Sequence, residues 1–322
     1  MEIFNLTLTQ MMTMFTLIFV GYILRNLRIL PEKSDNVIAK LETCVFGPAL
    51  LLYVQSKNCT LEAFCQDYVF LLYGAGIAIC AVLLSYPLSR LFVRNSKGDP
   101  KREYSRNIYK YALSFGNYGF IGMYIVKFVF GEVMLYKLTL FTSLIEMICL
   151  VWGMYVLVPK DQNAPFLTNL KKGLLKPQVI ALFLGIFLGL TGLSKYIPTF
   201  VGNALKNAGD CYGPVAMVLA GYIIGGYKWK EVIGKINVYV AALFRLILIP
   251  SAMMGVLMLF GTSKEIMTIA LFAFATPVGM NTIVFPTAFG GDPKTGASLT
   301  MISTAMSLIT LPLMYLTYIV LL

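Results

Sequence analysis

The stretch Ser114-Phe115-Gly116-Asn117-Tyr118-Gly119-Phe120-Ile121-Gly122 sets three glycines and an amide in the middle of an apolar run. A continuous helix would be poor there, because each Gly costs about 1 kcal/mol against Ala in a helix interior. If hydrocarbon surrounds the segment, every freed backbone N–H and C=O must also find a partner within the protein. A later run carries Ala275-Thr276-Pro277-Val278-Gly279-Met280-Asn281-Thr282. Pro277 removes a donor and clashes with the preceding turn, at roughly 3 kcal/mol in an ordinary helix interior. Aligning the two stretches on the glycines that follow them, Gly131 and Gly290, lays Asn117 on Thr276 and Tyr118 on Pro277. The interruptions therefore occupy equivalent places in two halves of the chain.

Composition explains why those runs matter. Of the 322 residues, 58% are hydrophobic and 13% are charged, whereas globular domains average roughly 45–50% apolar and about 25% charged. Apolar runs long enough for a hydrocarbon core recur along the whole chain. The sequence predicts an all-α integral membrane protein of ten transmembrane helices, near 6–25, 37–55, 68–92, 108–130, 133–158, 178–194, 199–226, 237–260, 265–290 and 295–322. The first run, Leu6 to Leu24, has no basic segment before it and Arg25 and Arg28 after it. That is the pattern of a retained span and not of a signal peptide.

A net charge of +11 raises the question of nucleic acid. The basic residues are instead spread over short loops, where they determine topology and meet anionic headgroups. Most of the 26 Lys and Arg fall in the loops after spans 1, 3, 5, 7 and 9, including Arg94, Lys97, Lys101, Lys171, Lys172, Lys228 and Lys230. These loops are predicted to be cytoplasmic, which places both termini outside the cytoplasm.

Five spans per half is an odd number, so a duplicate of the first half is inserted upside down. Residues 1–158 form the first five-helix repeat, 159–177 a cytoplasmic connector, and 178–322 the second, inverted repeat. Cys44-Val45-Phe46-Gly47-Pro48 in span 2 has a counterpart in Cys211-Tyr212-Gly213-Pro214 of span 7, and Met154-Tyr155 in Met314-Tyr315. Small residues in membrane helices also serve simple close packing. Two polar, Gly- or Pro-interrupted spans at corresponding repeat positions point instead to a carrier site. If spans 4 and 9 cross, half-helix N-termini present partial positive charge and free amides suited to a carboxylate. Asn117, Asn281, Thr276 and Thr282 then supply neutral hydrogen bonds.

Two charges lie well inside spans, Glu146 in span 5 and Arg245 in span 8. Intramembrane charges are functional candidates by default. They are read first as a structural ion pair with each other, and second as a proton acceptor and an anion attractor. Lys206 and Asp210 stand four apart on one helical face and form a local pair. Lys127 has the stem length to reach outward to the interface. Free thiols are the first reading of all six cysteines, with a Cys59–Cys65 bridge as the second. Hydrolysis by zinc or by a Ser–His pair needs His, which is absent from the sequence. The chain is therefore read as a non-enzyme. No metal or cofactor site is evident, and coupling to protons, sodium or membrane potential stays open.

Gly116-Asn117-Tyr118-Gly119-Phe120-Ile121-Gly122 resembles the Asn-x-Gly-Phe-x-Gly signature of the auxin efflux carrier family, which includes plant PIN-formed carriers and bacterial permeases for malate or malonate. Thr276 to Thr282, followed by Gly290-Gly291-Asp292, resembles that family's second crossover, and Ser303-Thr304 and Thr310-Leu311-Pro312-Leu313 also match. The similarity runs over essentially the whole chain. Where many relatives have a proline shortly after the first motif, this chain has Met123-Tyr124, and the long central loop of plant members is missing.

The resemblance implies crossing broken helices 4 and 9 and a fold related to bile-acid symporters and sodium/proton antiporters. It further implies a homodimer through scaffold spans 1, 2, 6 and 7, and elevator motion of spans 3–5 and 8–10. The cargo would be a small organic anion, auxin-like or a mono- or dicarboxylate. Its binding residues would be Ser114, Gly116, Asn117, Tyr118 and Gly119 on one side and Thr276, Pro277, Val278, Asn281 and Thr282 on the other. A channel, a transport-derived sensor and a sodium-coupled symporter of the bile-acid type are the competing readings.

Overall fold

The computed structural model describes residues 2–31, 33–95, 98–159, 174–227 and 236–320. Most of the expected connector at 159–177, with Lys160, Lys171 and Lys172, lies outside them, as do Lys97, Lys228, Lys230 and Lys235.

The described chain is helical. Helix α1 is Glu2–Asn26; α2, Ser34–Leu41, runs through a π-helical turn, Glu42–Phe46, into α3, Gly47–Asn58; α4 is Leu61–Phe92 and α5 is Pro100–Ser114. A second π-helical turn, Tyr118–Gly122, leads into α6, Met123–Leu157. Then come α7 (Pro177–Leu190), α8 (Thr199–Gly225), and α9 (Ile236–Leu243) continuing through Phe244–Leu248 into α10 (Ile249–Leu259). The chain closes with α11 (Lys264–Phe274), α12 (Asn281–Ala288) and α13 (Lys294–Tyr315).

Side chains near the helix starts account for several boundaries. The Thr60 hydroxyl accepts the Ala63 N–H at 3.1 Å to open α4, and Asp99 accepts from Lys101 and Arg102 to open α5. Ser263 caps α11 through the Ile266 N–H. Pro100 and Pro177 sit in first turns, where a missing N–H has no consequence.

Among the described residues, seven stretches are long and apolar enough to cross a membrane: Leu8–Asn26, Ser34–Asn58, Leu61–Phe92, Tyr118–Leu157, Thr199–Gly225, Ile236–Leu259 and Lys294–Ile319. The difference from the ten predicted spans has local causes. Span 4 stops at Ser114 and resumes at Tyr118, span 9 is divided into α11 and α12, and α7 has only 14 residues. The second half of span 4 and all of span 5 share one 40-residue run, Tyr118–Leu157. Gly131 breaks that run with φ 84° and ψ −174°, a conformation open essentially to glycine alone. Its sequence counterpart Gly290 also has positive φ, 70°.

Helix α8 packs on α1 and α3, and α3 on α7, while α4 packs on α5 and α6, and α13 on α9 and α12. The α1–α8 contact is a backbone-to-backbone approach. A Cβ at Gly21 would run into the Val218 carbonyl and one at Gly221 into that of Ile18, the small-residue packing typical of membrane helices. Phe19, Leu83, Phe187, Phe200 and Leu259 are exposed. A hydrocarbon surrounding accepts such side chains, which water would not. All six cysteines are free; Cys59 is buried and Cys65 exposed, and burial pushes the Cys59 thiol above its ordinary range.

Candidate functional site

Both interrupted stretches are broken in space, and the two breaks meet. Helix α5 ends at Ser114 and α11 at Phe274, so two helix C-termini arrive from opposite directions. Gly116 and Val278 pair as an antiparallel bridge, and the Asn117 N–H donates to the Pro277 carbonyl at 2.7 Å. Each break thus supplies hydrogen bonds to the other, as buried non-helical backbone requires. The Asn117 carbonyl then accepts from Ile121 and Gly122, opening the next helix.

Arg245 answers the C-terminal ends. It sits in the π-helical turn of span 8 with no exposure, and its Nη1 faces the carbonyls of Leu113 and Ser114 at 3.5 and 3.4 Å. Its guanidinium carbon lies 5.9 Å from the Phe274 ring centre. A cation at the negative end of a helix dipole is favourable, and here two such ends converge. Gly116 is required by the same closeness: a Cβ there would strike Arg245 Nη2 and the Thr276 hydroxyl.

The expected Glu146–Arg245 ion pair is not formed among the described residues. Glu146 accepts the Tyr118 hydroxyl at 2.7 Å and lines a cavity in front of the crossing, whereas Arg245 lies behind Gly116. Depth along two helices matches the pair in sequence, but the first break stands between them. Lys206 does pair with Asp210, at 2.8 Å. Lys127 turns to the same carboxylate, at 2.5 Å. That contact ties α6 to α8.

The cavity in front of the crossing measures about 260 Å³. Of the predicted binding residues, Gly116, Asn117, Tyr118, Gly119 and Asn281 line it. Asn281 is oriented by its amide, which donates to the Tyr111 hydroxyl at 2.8 Å, and Tyr111 in turn stacks on Trp152. The remaining five lie behind the wall. Ser114 bonds the carbonyls of Lys110 and Ala81, and Thr276 that of Ala273. Pro277 gives its carbonyl to Asn117, and Val278 its N–H to Ser303 at 3.0 Å. Thr282 meets Gly279 and Thr300.

The opposite wall comes from α2, α3, α7 and α8. It includes Glu42, Gln178 and Tyr212, none of which the sequence names as a binding residue, with Lys176 beside them. Glu42 had a legible signal, an acidic residue inside the second apolar run. Its nearness to the predicted end of that span makes it look interfacial, but it has no exposure. Among the described residues, no group of three or more His, Cys, Asp or Glu is arranged to hold a metal ion.

A search of curated proteins finds no match to the chain. The family model described as membrane transport protein matches it in two segments, residues 6–166 and 166–315, which together cover nearly its whole length. With Asn117 and Asn281 beside one cavity at a crossing of two broken helices, the chain belongs to the membrane transport protein family, that of the auxin efflux carriers.

Proposed function

We propose that this protein is a secondary carrier of a small organic anion, which it holds at the crossing of broken spans 4 and 9. The observation that carries this reading is the cavity wall formed by Gly116 to Gly119 and Asn281. There the chain turns from the crossing into α6 and α12 beside the cavity, with the Arg245 guanidinium behind Gly116. A carboxylate entering that space faces two helix N-termini, with a fixed cation behind Gly116, and these offset its loss of water.

Ten spans in two inverted repeats, 1–158 and 178–322, fit this arrangement, with both termini outside. An elevator movement is favoured by the position of the cavity. It lies between α2, α3, α7 and α8, the proposed scaffold, and α5, α6 and α12, part of the proposed moving body. Scaffold surfaces not occupied by that body would join two copies of the chain. Labelled monocarboxylates and dicarboxylates in proteoliposomes provide the test. A carrier shows saturable uptake and counterflow, both lost in Asn117→Ala. Unsaturable flux without counterflow would show a channel instead, and binding without flux a sensor.

A further inference from the structure

Glu42 is the buried charge that the carrier reading leaves without a task. It opens the π-helical turn Glu42–Phe46, has no exposure, lines the cavity, and neither carboxylate oxygen has a hydrogen-bond partner among the described residues. A bare carboxylate in a dry wall is costly unless something positive completes it. The charged groups that share the cavity are Glu146 on α6 and Lys176 ahead of α7, and the titratable ones are Tyr111, Tyr118, Cys149 and Tyr212. Glu146 adds a second negative charge and already accepts from Tyr118. Lys176 lies over the Phe285 ring, 5.7 Å from its centre, and forms no ion pair with Glu42 among the described residues.

The cavity is therefore two-signed. Its lining carries Glu42 and Glu146 as acids and Lys176 as a base, and the Arg245 guanidinium stands behind Gly116 at the crossing. A plain carboxylate can face the crossing but leaves Glu42 unanswered. We infer that the cargo is an amino-carboxylate, its carboxylate at the crossing and its ammonium group on Glu42. This rests on the carrier reading and narrows its substrate class. An ammonium donates up to three charge-assisted hydrogen bonds and satisfies a carboxylate that nothing else reaches. A molecule lacking it leaves Glu42 unpaired, the situation in which a site rejects an analogue most strongly.

The experiment uses matched pairs of acids that differ only by an amino group: propionate and β-alanine, butyrate and 4-aminobutyrate, succinate and aspartate. Ligand-induced shifts in thermal unfolding of the purified full chain are measured at neutral pH, and binding pairs are taken on to counterflow. The amino member is expected to bind at least about tenfold more tightly, and E42Q to bring the two members of each pair close together. Equal affinities in the unaltered protein would overturn the inference, as would an amino preference that survives E42Q. Plain acids that bind without amino preference, and more tightly as pH falls, would also overturn it and make Glu42 a proton site. The comparison on the unaltered protein decides alone if E42Q does not fold. These last outcomes leave the carboxylate carrier standing. Failure of both series to bind the unaltered protein and E42Q removes the carboxylate reading as well.

Discussion

Between Ser114 and Gly122 the chain presents Gly116, Asn117, Tyr118, Gly119 and Phe120 to the cavity, whereas between Ala275 and Thr282 it presents only Gly279, Met280 and Asn281 and turns Thr276, Pro277 and Val278 inward. The two breaks are counterparts in sequence, yet they differ in what they touch. The first, built on glycine, sets its residues beside the cavity while the Asn117 N–H is spent on the Pro277 carbonyl. The second, built on proline, is held from behind by Ser303 and gives its carbonyl to the first. Corresponding interruptions thus divide the work: the first forms the larger part of the wall, and the second adds Asn281 and its neighbours and holds that wall in place.

The largest expected effect attacks the point where the two meet. Gly116→Ala drives a methyl group into Arg245 and Thr276, both fully buried, and should destabilise the protein by about 3 kcal/mol, the upper range for overpacking. Gly119→Ala is the control, because a Cβ there meets nothing within 4 Å. Equal unfolding midpoints for the two variants in detergent would show that the crossing is looser than described.

The division of work is sharpened by a pair of variants. Ser303→Ala leaves the buried Val278 N–H without its acceptor and should cost about 1–3 kcal/mol in thermal unfolding, with little change in half-saturation for cargo. Asn117→Ala should do the reverse, lowering transport about 10- to 100-fold, as when a charged ligand loses a hydrogen bond, with a smaller loss of stability. If both variants moved the same quantity, the two breaks would have one role.

A smaller change is expected from Tyr118→Phe, which removes the hydroxyl donated to Glu146 from the first break only. About 1 kcal/mol of stability is the expected loss, with the site still open to cargo. The smallest concerns the far end of the first broken helix, where Lys127 joins Lys206 on Asp210. Asp210 is 41% exposed, so Lys127→Ala should cost no more than about 1 kcal/mol, and less as salt is raised. A loss independent of ionic strength would mean that packing of the lysine stem, and not charge, makes the tie.

Much of the architecture was legible because its causes are local. Pro277 and the glycines of 116–122 break helices wherever they stand, and Gly131 and Gly290 take up positive φ because no side chain forbids it. Lys206 and Asp210 meet because four residues make about one turn. The errors fall where two elements must be related in space. Glu146 and Arg245 seemed matched in depth, but hydropathy carries no information about which side of a third segment each helix occupies. Ser114, Thr276, Val278 and Thr282 are as polar or as near the breaks as Asn117 and Asn281, and only their orientation separates back from front.

What the sequence determined by itself is the membrane character, the two interruptions and their equivalence, because composition and backbone chemistry act residue by residue. The tertiary structure alone decided that Arg245 stands behind the crossing and Glu42 opposite it, so that one small cavity carries both signs of charge. Burial and electrostatic surroundings are properties of neighbours from distant parts of the chain, and no local pattern of residues encodes them.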